Sequence, residues 1–326
     1  MDACEVYETN KKSAVSFQGR KAEISNSNFQ KCYVKENGAA VSLLAQDGWI
    51  HNSTFHNCYA QNGGAIATVS PVQITNCIFS LCHALEYGNS IYYKGLAQEW
   101  VQRCQYEDTM EERSQLVQVI ETEKELDGIT EINYSTHLKI PFVTDHSTSV
   151  WIHNVMLFLE DTMVLKGGLR MEHVSVLAGP YLKGDLIDVS NGRAVTMRDC
   201  QFDGAREHGI LNANGTKVTL RDCLFSNSKV GRAIFNSVDL DCENSIFNNC
   251  ESGAIYGTRA IIKKSIFVNC RGKRGAAIYL VNNKGLIKEC IFDRCVAETS
   301  GGGIITFGNY QVVDCVFNEC QPDNMG

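Results

Sequence analysis

Asp199 and Asp222 are the two residues of this 326-residue chain best placed to do chemistry. Each follows an arginine, Arg198 or Arg221, and His173 holds the equivalent place one repeat earlier. If the repeats stack as neighbouring strands, the two aspartate backbones come within about 4.8 Å. Two carboxylates that close can divide the acid and nucleophile roles of glycoside hydrolysis. A plainer reading competes with this. The same place in other repeats is filled by Asn26, Asn52, Asn76, Asn154 and Asn244. Asn and Asp are residues that tolerate a left-handed bend. Catalysis by Asp199, Asp222 and His173 is therefore the alternative reading, and bend formation the leading one.

The 15 cysteines could bind metal, form disulfides or simply pack. Their spacing around a recurring aromatic decides between these. Cys4, Cys77, Cys104, Cys200, Cys223, Cys290 and Cys315 stand two residues before it. Cys32, Cys58, Cys82, Cys250, Cys270, Cys295 and Cys320 stand three after it, and Cys242 five before. Ser, Val or Ala takes the same places elsewhere, as expected of a small buried side chain. Reduced, buried thiols are the leading expectation. Disulfides between stacked neighbours such as Cys295 and Cys320 stay open, because interstrand spacing suits their Cα range. The C-x₄-C spacing lacks the C-x₂-C or Cys/His quartet of a zinc site, so no metal is expected.

The recurring aromatic organises everything else. With it as position zero, the anchors run Val6, Phe29, Phe55, Phe79, Tyr106, a blurred Ile132, Leu157, Val176, Phe202, Phe225, Phe247, Phe267, Phe292 and Phe317. They are 19 to 27 residues apart, a period that signals a solenoid or array. Position −5 is apolar, −3 polar, and −2 small or apolar. Positions −2 and 0 share one face of a strand, and −7 and −5 share another. The odd offset between −5 and −2 requires a bend near −4 or −3. A third apolar strand follows, at Val41, Ile66, Ile91, Ile210, Ile234, Ile255, Ile278 and Ile304, often led by glycine. Three short strands per repeat predict an all-β chain, a right-handed parallel β-helix of about 13–14 coils. One continuous domain over 1–326 is expected, as a fragment of a longer chain, because both ends fall inside the repeat. Acidic clusters within 107–149 (Glu107, Asp108, Glu111, Glu112, then Glu121, Glu123, Glu125, Asp127) read as solvated loops.

A binding role has its own candidates. Trp49, Trp100 and Trp151 all fall at −6, which alternation points outward. A row of exposed indoles would suit a linear glycan or another protein's surface. Loops covering the indoles would remove that platform. The net charge of −7 offers no reason to bind nucleic acid. No stretch reaches the ~20 apolar residues of a membrane span. Gly301–Gly303 lacks the lysine and following helix of a phosphate-cradling loop, and no cofactor is expected. Met1–Val6 has neither the basic nor the apolar region of a signal peptide.

Repeated F-x-x-C, as in Phe55–Cys58 and Phe267–Cys270, beside Gly63-Gly64-Ala65-Ile66 resembles the repeats of chlamydial polymorphic outer membrane proteins. Right-handed β-helix surface proteins of trichomonads are similar. Asparagine in their F-x-x-N is replaced here by cysteine. The resemblance implies an adhesin-like, non-catalytic module at the cell surface or outside the cell, with a protein or glycan partner. Parallel β-helices of the pectin-lyase-like type also host polysaccharide lyases and hydrolases, which is the fold context of the Asp199/Asp222 alternative.

Overall fold

The computed structural model describes residues 5–7, 12–69, 72–94, 101–107, 116–120, 130–133, 135–139, 141–179, 182, 184–204, 209–236 and 238–322. These form an all-β, right-handed parallel β-solenoid of about 11 turns. That is fewer than the 13–14 coils expected from the anchors. None of the described residues forms a helix long and apolar enough to cross a membrane. The chain divides into two compact units. One is Met1–Asp127 with Tyr134–His137, the other Gly128–Asn133 with Leu138–Gly326.

Each turn is built the same way. A strand such as Ala194–Arg198 buries Val195 and Met197 and exposes the residues between them. A residue in the left-handed region then turns the chain, and a three-residue strand, Gln201–Asp203, buries the anchor Phe202. The expected bend falls at −3 in all twelve turns where it is described, with φ between 49° and 56°. Asn and Asp make eight of these bends comfortably, while Arg103, His173, Lys264 and Glu289 adopt them too. Register is parallel throughout and follows the anchors. In the first unit Val6, Phe29, Phe55, Phe79 and Tyr106 are direct partners. In the second the row runs Leu157, Val176, Phe202, Phe225, Phe247, Phe267, Phe292, Phe317. Ring centroids in these rows are 4.7–5.4 Å apart with near-parallel planes. Burial supplies about 1.5–3 kcal/mol per ring, and the stacking adds about 0.5–1.5.

Three expectations about these rows are corrected. Ile132 is no anchor. It pairs with Ile152, a −5 residue, so its burial belongs to the first strand of its turn. Leu211, not Ile210, aligns with Ile234; each stands nine residues after its anchor, Phe202 or Phe225. Phe317 stacks on Phe292 at 4.7 Å yet is 48% exposed, since no described strand pairs with its other side. Within 107–149, the clusters at 108–112 and 121–127 lie outside the described residues; Glu107 is described and exposed.

The cysteines line the interior. Eleven of the fourteen described are buried, and Cys104, Cys315 and Cys320 are half-buried; Cys4 lies outside the described residues. All fourteen are free thiols. Their positions have a local reason beyond size. At −2 the thiol reaches the carbonyl two residues back, just before the left-handed bend, as from Cys77 to Thr75 (3.4 Å) and from Cys200 to Arg198 (3.2 Å). Ser27 and Ser53 donate to the equivalent carbonyls, which is why serine and cysteine exchange there. At +3 Cys58 and Cys82 do the same across a second bend. Burial pushes the Cys242 thiol up to about 12 and the Cys290 thiol up to about 11.

Candidate functional site

The −3 row of the second unit brings the aspartates onto neighbouring turns. Arg198 pairs with Arg221 and Gln201 with Leu224, so Asp199 and Asp222 stand between matched rungs. The Asp199 carboxylate lies 2.6 Å from His173 Nδ1, and Asn244 donates to Asp222 Oδ1 at 2.5 Å. A shallow groove of about 220 Å³ runs past Asp199, Asp222, Asn244 and Lys264. The two arginines do not join it as a pair. Arg221 turns to Asp241 (2.6 Å) and Glu243 (3.7 Å), and the Asp241 carboxylate holds its pKa above the ordinary value. The row therefore contains a His–Asp pair and a second carboxylate, chemically able to exchange protons. Asn52 donates to Asn26 in the same manner in the first unit (3.4 Å), so side-chain ladders along this row are also a feature of bends without acids.

The tryptophans are placed in three different ways. Trp49 is half-buried, between Glu23 and Gln73 in register, with the Lys21 ammonium 5.2 Å from its ring. Trp151 is 39% exposed, stacked on His153 at 4.1 Å, with the Arg170 guanidinium 5.3 Å away. Its register partners are Glu131 and Arg170. Trp49 and Trp151 belong to separate units, and Trp100 lies outside the described residues. A cation covers each described indole, which weakens either as a bare stacking surface.

A different aromatic row was not singled out from sequence. In the second unit the strand after the turn carries an outward column of register partners. It runs Val143, Val164, Asp188, Asn212, Phe235, Tyr256, Tyr279 and Ile305. Phe235, Tyr256 and Tyr279 form a continuous outer stack, at 4.9 and 5.4 Å. The signal was present: each aromatic follows a buried isoleucine, Ile234, Ile255 or Ile278, and alternation sends it outward. Arg232 lies beside the stack, at the edge of an open depression of about 430 Å³ lined also by Asn212, Asn214, Phe235 and Ser252.

Among the described residues no group of three or more His, Cys, Asp or Glu is placed to hold a metal ion.

Residues 181–323 match the family model described as right handed beta helix region. The match falls within the second unit and includes both the Asp199/Asp222 row and the outer aromatic stack. No curated protein and no solved structure matches the chain. The β-helix match agrees with the parallel register and with the left-handed bends, but this fold carries enzymes and non-enzymes alike.

Proposed function

We propose that this β-helix is a non-catalytic, adhesin-like binding module that presents its outer faces to a protein or glycan surface, without cofactor or metal. One observation carries this reading: Asp199 and Asp222 hold the same left-handed bend, at φ 50° and 56°, as asparagines on other turns. Their carboxylates are also engaged in side-chain ladders of the kind asparagine makes. Local geometry thus explains their presence without chemistry. The resemblance of the F-x-x-C and Gly-Gly-Ala-Ile repeats to polymorphic outer membrane proteins supports a surface location. Trp49, Trp100 and Trp151 remain candidate contacts for the partner, and iodide quenching of tryptophan emission tests their accessibility.

The second reading is a polysaccharide hydrolase or lyase. It is favoured by the His173–Asp199 pair at 2.6 Å and by the groove that Asp199 shares with Asp222 and Lys264. Purified protein offered a panel of neutral and acidic polysaccharides separates the two. No chain shortening or new reducing ends are expected. Cleavage by the parent that disappears in both Asp199→Asn and Asp222→Asn, with unchanged thermal unfolding, would establish the enzyme.

A further inference from the structure

The core does not require the outer stack of Phe235, Tyr256 and Tyr279. Their inward neighbours Ile234, Ile255 and Ile278 are already fully buried. Phe235 remains 38% exposed, and an aromatic row at a surface is costly unless something covers it. The planes of Phe235 and Tyr256 are parallel, and those of Tyr256 and Tyr279 differ by 9°. The ring faces therefore look largely at each other, and the edges look at solvent. A sugar ring stacks on a face, so this row is a poor glycan platform. Aromatic edges carry the positive end of the ring quadrupole.

Arg232 sets a full charge over two of these rings. Its guanidinium lies 5.4 Å from the Tyr256 centroid and 5.5 Å from that of Tyr279. Nη1 donates to the Ile255 carbonyl at 3.2 Å and Nη2 to the Arg274 carbonyl at 3.5 Å. A guanidinium has five N–H donors, so part of the fork is unspent. Arg170, Arg221, Arg259 and Arg294 each have a carboxylate partner. Among the described residues Arg232 has none, although it is half-buried and its burial lowers its pKa. Among the described residues the depression beside it holds one carboxylate, Asp185, whose Oδ1 accepts from the Gly209 amide at 2.7 Å. The amides of Asn212 and Asn214 and the hydroxyl of Ser252 complete a polar rim.

We propose that this face binds an extended acidic segment of a partner protein, with one of its carboxylates on Arg232 and its chain laid along the edges of Phe235, Tyr256 and Tyr279. This deepens the reading of the chain as a binding module and rests on it. Charge complementarity selects the occupant: a half-buried cation with no carboxylate partner among the described residues, and with N–H donors to spare, favours a carboxylate. Three stacked turns span about 10 Å, longer than a lone small anion and open enough to admit a chain.

The test uses the full 326-residue chain and labelled poly-L-glutamate in low salt, with poly-L-lysine and alginate as separate arms. The parent should bind poly-L-glutamate and neither other polymer. Arg232→Gln should weaken binding by roughly tenfold or more, and Tyr256→Ala by several-fold. Arg259→Gln removes an equal charge from a residue already paired with Asp239, and should leave binding unchanged. Thermal unfolding checks each variant. Should Arg232→Gln not fold, Arg232→Lys, which keeps the charge and loses the fork, should weaken binding by several-fold. No binding of poly-L-glutamate by the parent overturns the proposal, as does equal loss in Arg232→Gln and Arg259→Gln. Arg232-dependent binding of alginate in place of poly-L-glutamate also overturns it, by moving the carboxylate onto a polysaccharide. Polysaccharide cleavage that depends on Asp199 and Asp222 would instead refute the non-catalytic reading, and is scored independently of Arg232.

Discussion

The second unit contains two aromatic stacks of almost equal geometry and opposite circumstance. Phe202, Phe225, Phe247, Phe267 and Phe292 are wholly buried, with centroids 4.8–5.1 Å apart. Phe235, Tyr256 and Tyr279 repeat the arrangement on the outside, at 4.9 and 5.4 Å. Register alone produces both, because a parallel solenoid sets like residue on like residue at the interstrand distance. What differs is solvent. The inner rings lose most of their water and gain neighbours on every side, so they hold the turn together. The outer rings keep an exposed edge, so their contribution to stability is small and their surface is free to serve a partner. The first unit makes the same point from the other side. There the corresponding column is Ser16, Ser42, Ala67 and Tyr92; Ala67 and Tyr92 are buried, and with one aromatic among these four residues they make no outer stack. The turns are held nonetheless by Phe29, Phe55 and Phe79 inside.

The largest expected contrast is in thiol chemistry. In native protein the half-buried Cys104, Cys315 and Cys320 should react first with an aromatic disulfide reagent. The eleven buried thiols should lag by roughly a thousandfold or more, because they wait for opening of the turns. Raising the pH to 9 should not release Cys242 or Cys290, whose pKa values burial has pushed up to about 12 and about 11. Full titration of all cysteines in denaturant without reductant completes the measurement; a shortfall there would mean disulfides between stacked neighbours.

Next in size is the direct comparison of the stacks by urea unfolding. Phe247→Ala should cost about 3–5 kcal/mol, through lost burial and a cavity between Phe225 and Phe267. Tyr256→Ala should cost less than about 1 kcal/mol. Equal costs would mean that the outer stack is as structural as the inner one.

The bends come third. Asn269 holds φ 52° two residues after the anchor Phe267. Asn269→Val should destabilise by about 1–2 kcal/mol, since a β-branched residue is strained there. Asn269→Gly should stay within about 0.5 kcal/mol of the parent. The smallest effect concerns a surface loop. The side chains of Ser147 and Thr148, then their amides, donate to Asp145 and hold its pKa at about 2. Its folded pKa lies below the unfolded value of about 3.9. Its contribution is therefore present above pH 4 and disappears as pH falls through 2. The stability gap between parent and Asp145→Asn should close over that range in acid-limb urea titrations.

The residue pattern by itself determined the turn of this solenoid. Period-2 alternation at −7, −5, −2 and 0, broken by an odd offset, can be satisfied only by two strands and a bend, and Asn or Asp at −3 marks where the bend lies. It also determined that the cysteines face inward, since Ser, Val and Ala occupy the same places. The second bend was not legible. It falls at +2 and is made by Asn57, Asn227, Asn249 and Asn269 but equally by Lys31, Leu81, Arg294 and Glu319, which carry no bend preference. There the stacked turns impose the left-handed conformation, and the cost is met by the hydrogen bonds on either side. Ile132 has the same difficulty: the interval around it carries no F-x-x-C repeat, and only pairing with Ile152 sets its register. The outer stack and the placing of Arg232 over it depend on the same thing. Alternation says that Phe235, Tyr256 and Tyr279 point outward, but the anchors are 19 to 27 residues apart. Whether three outward rings coincide is decided by how each variable turn closes, and that is settled only when neighbouring strands meet in three dimensions.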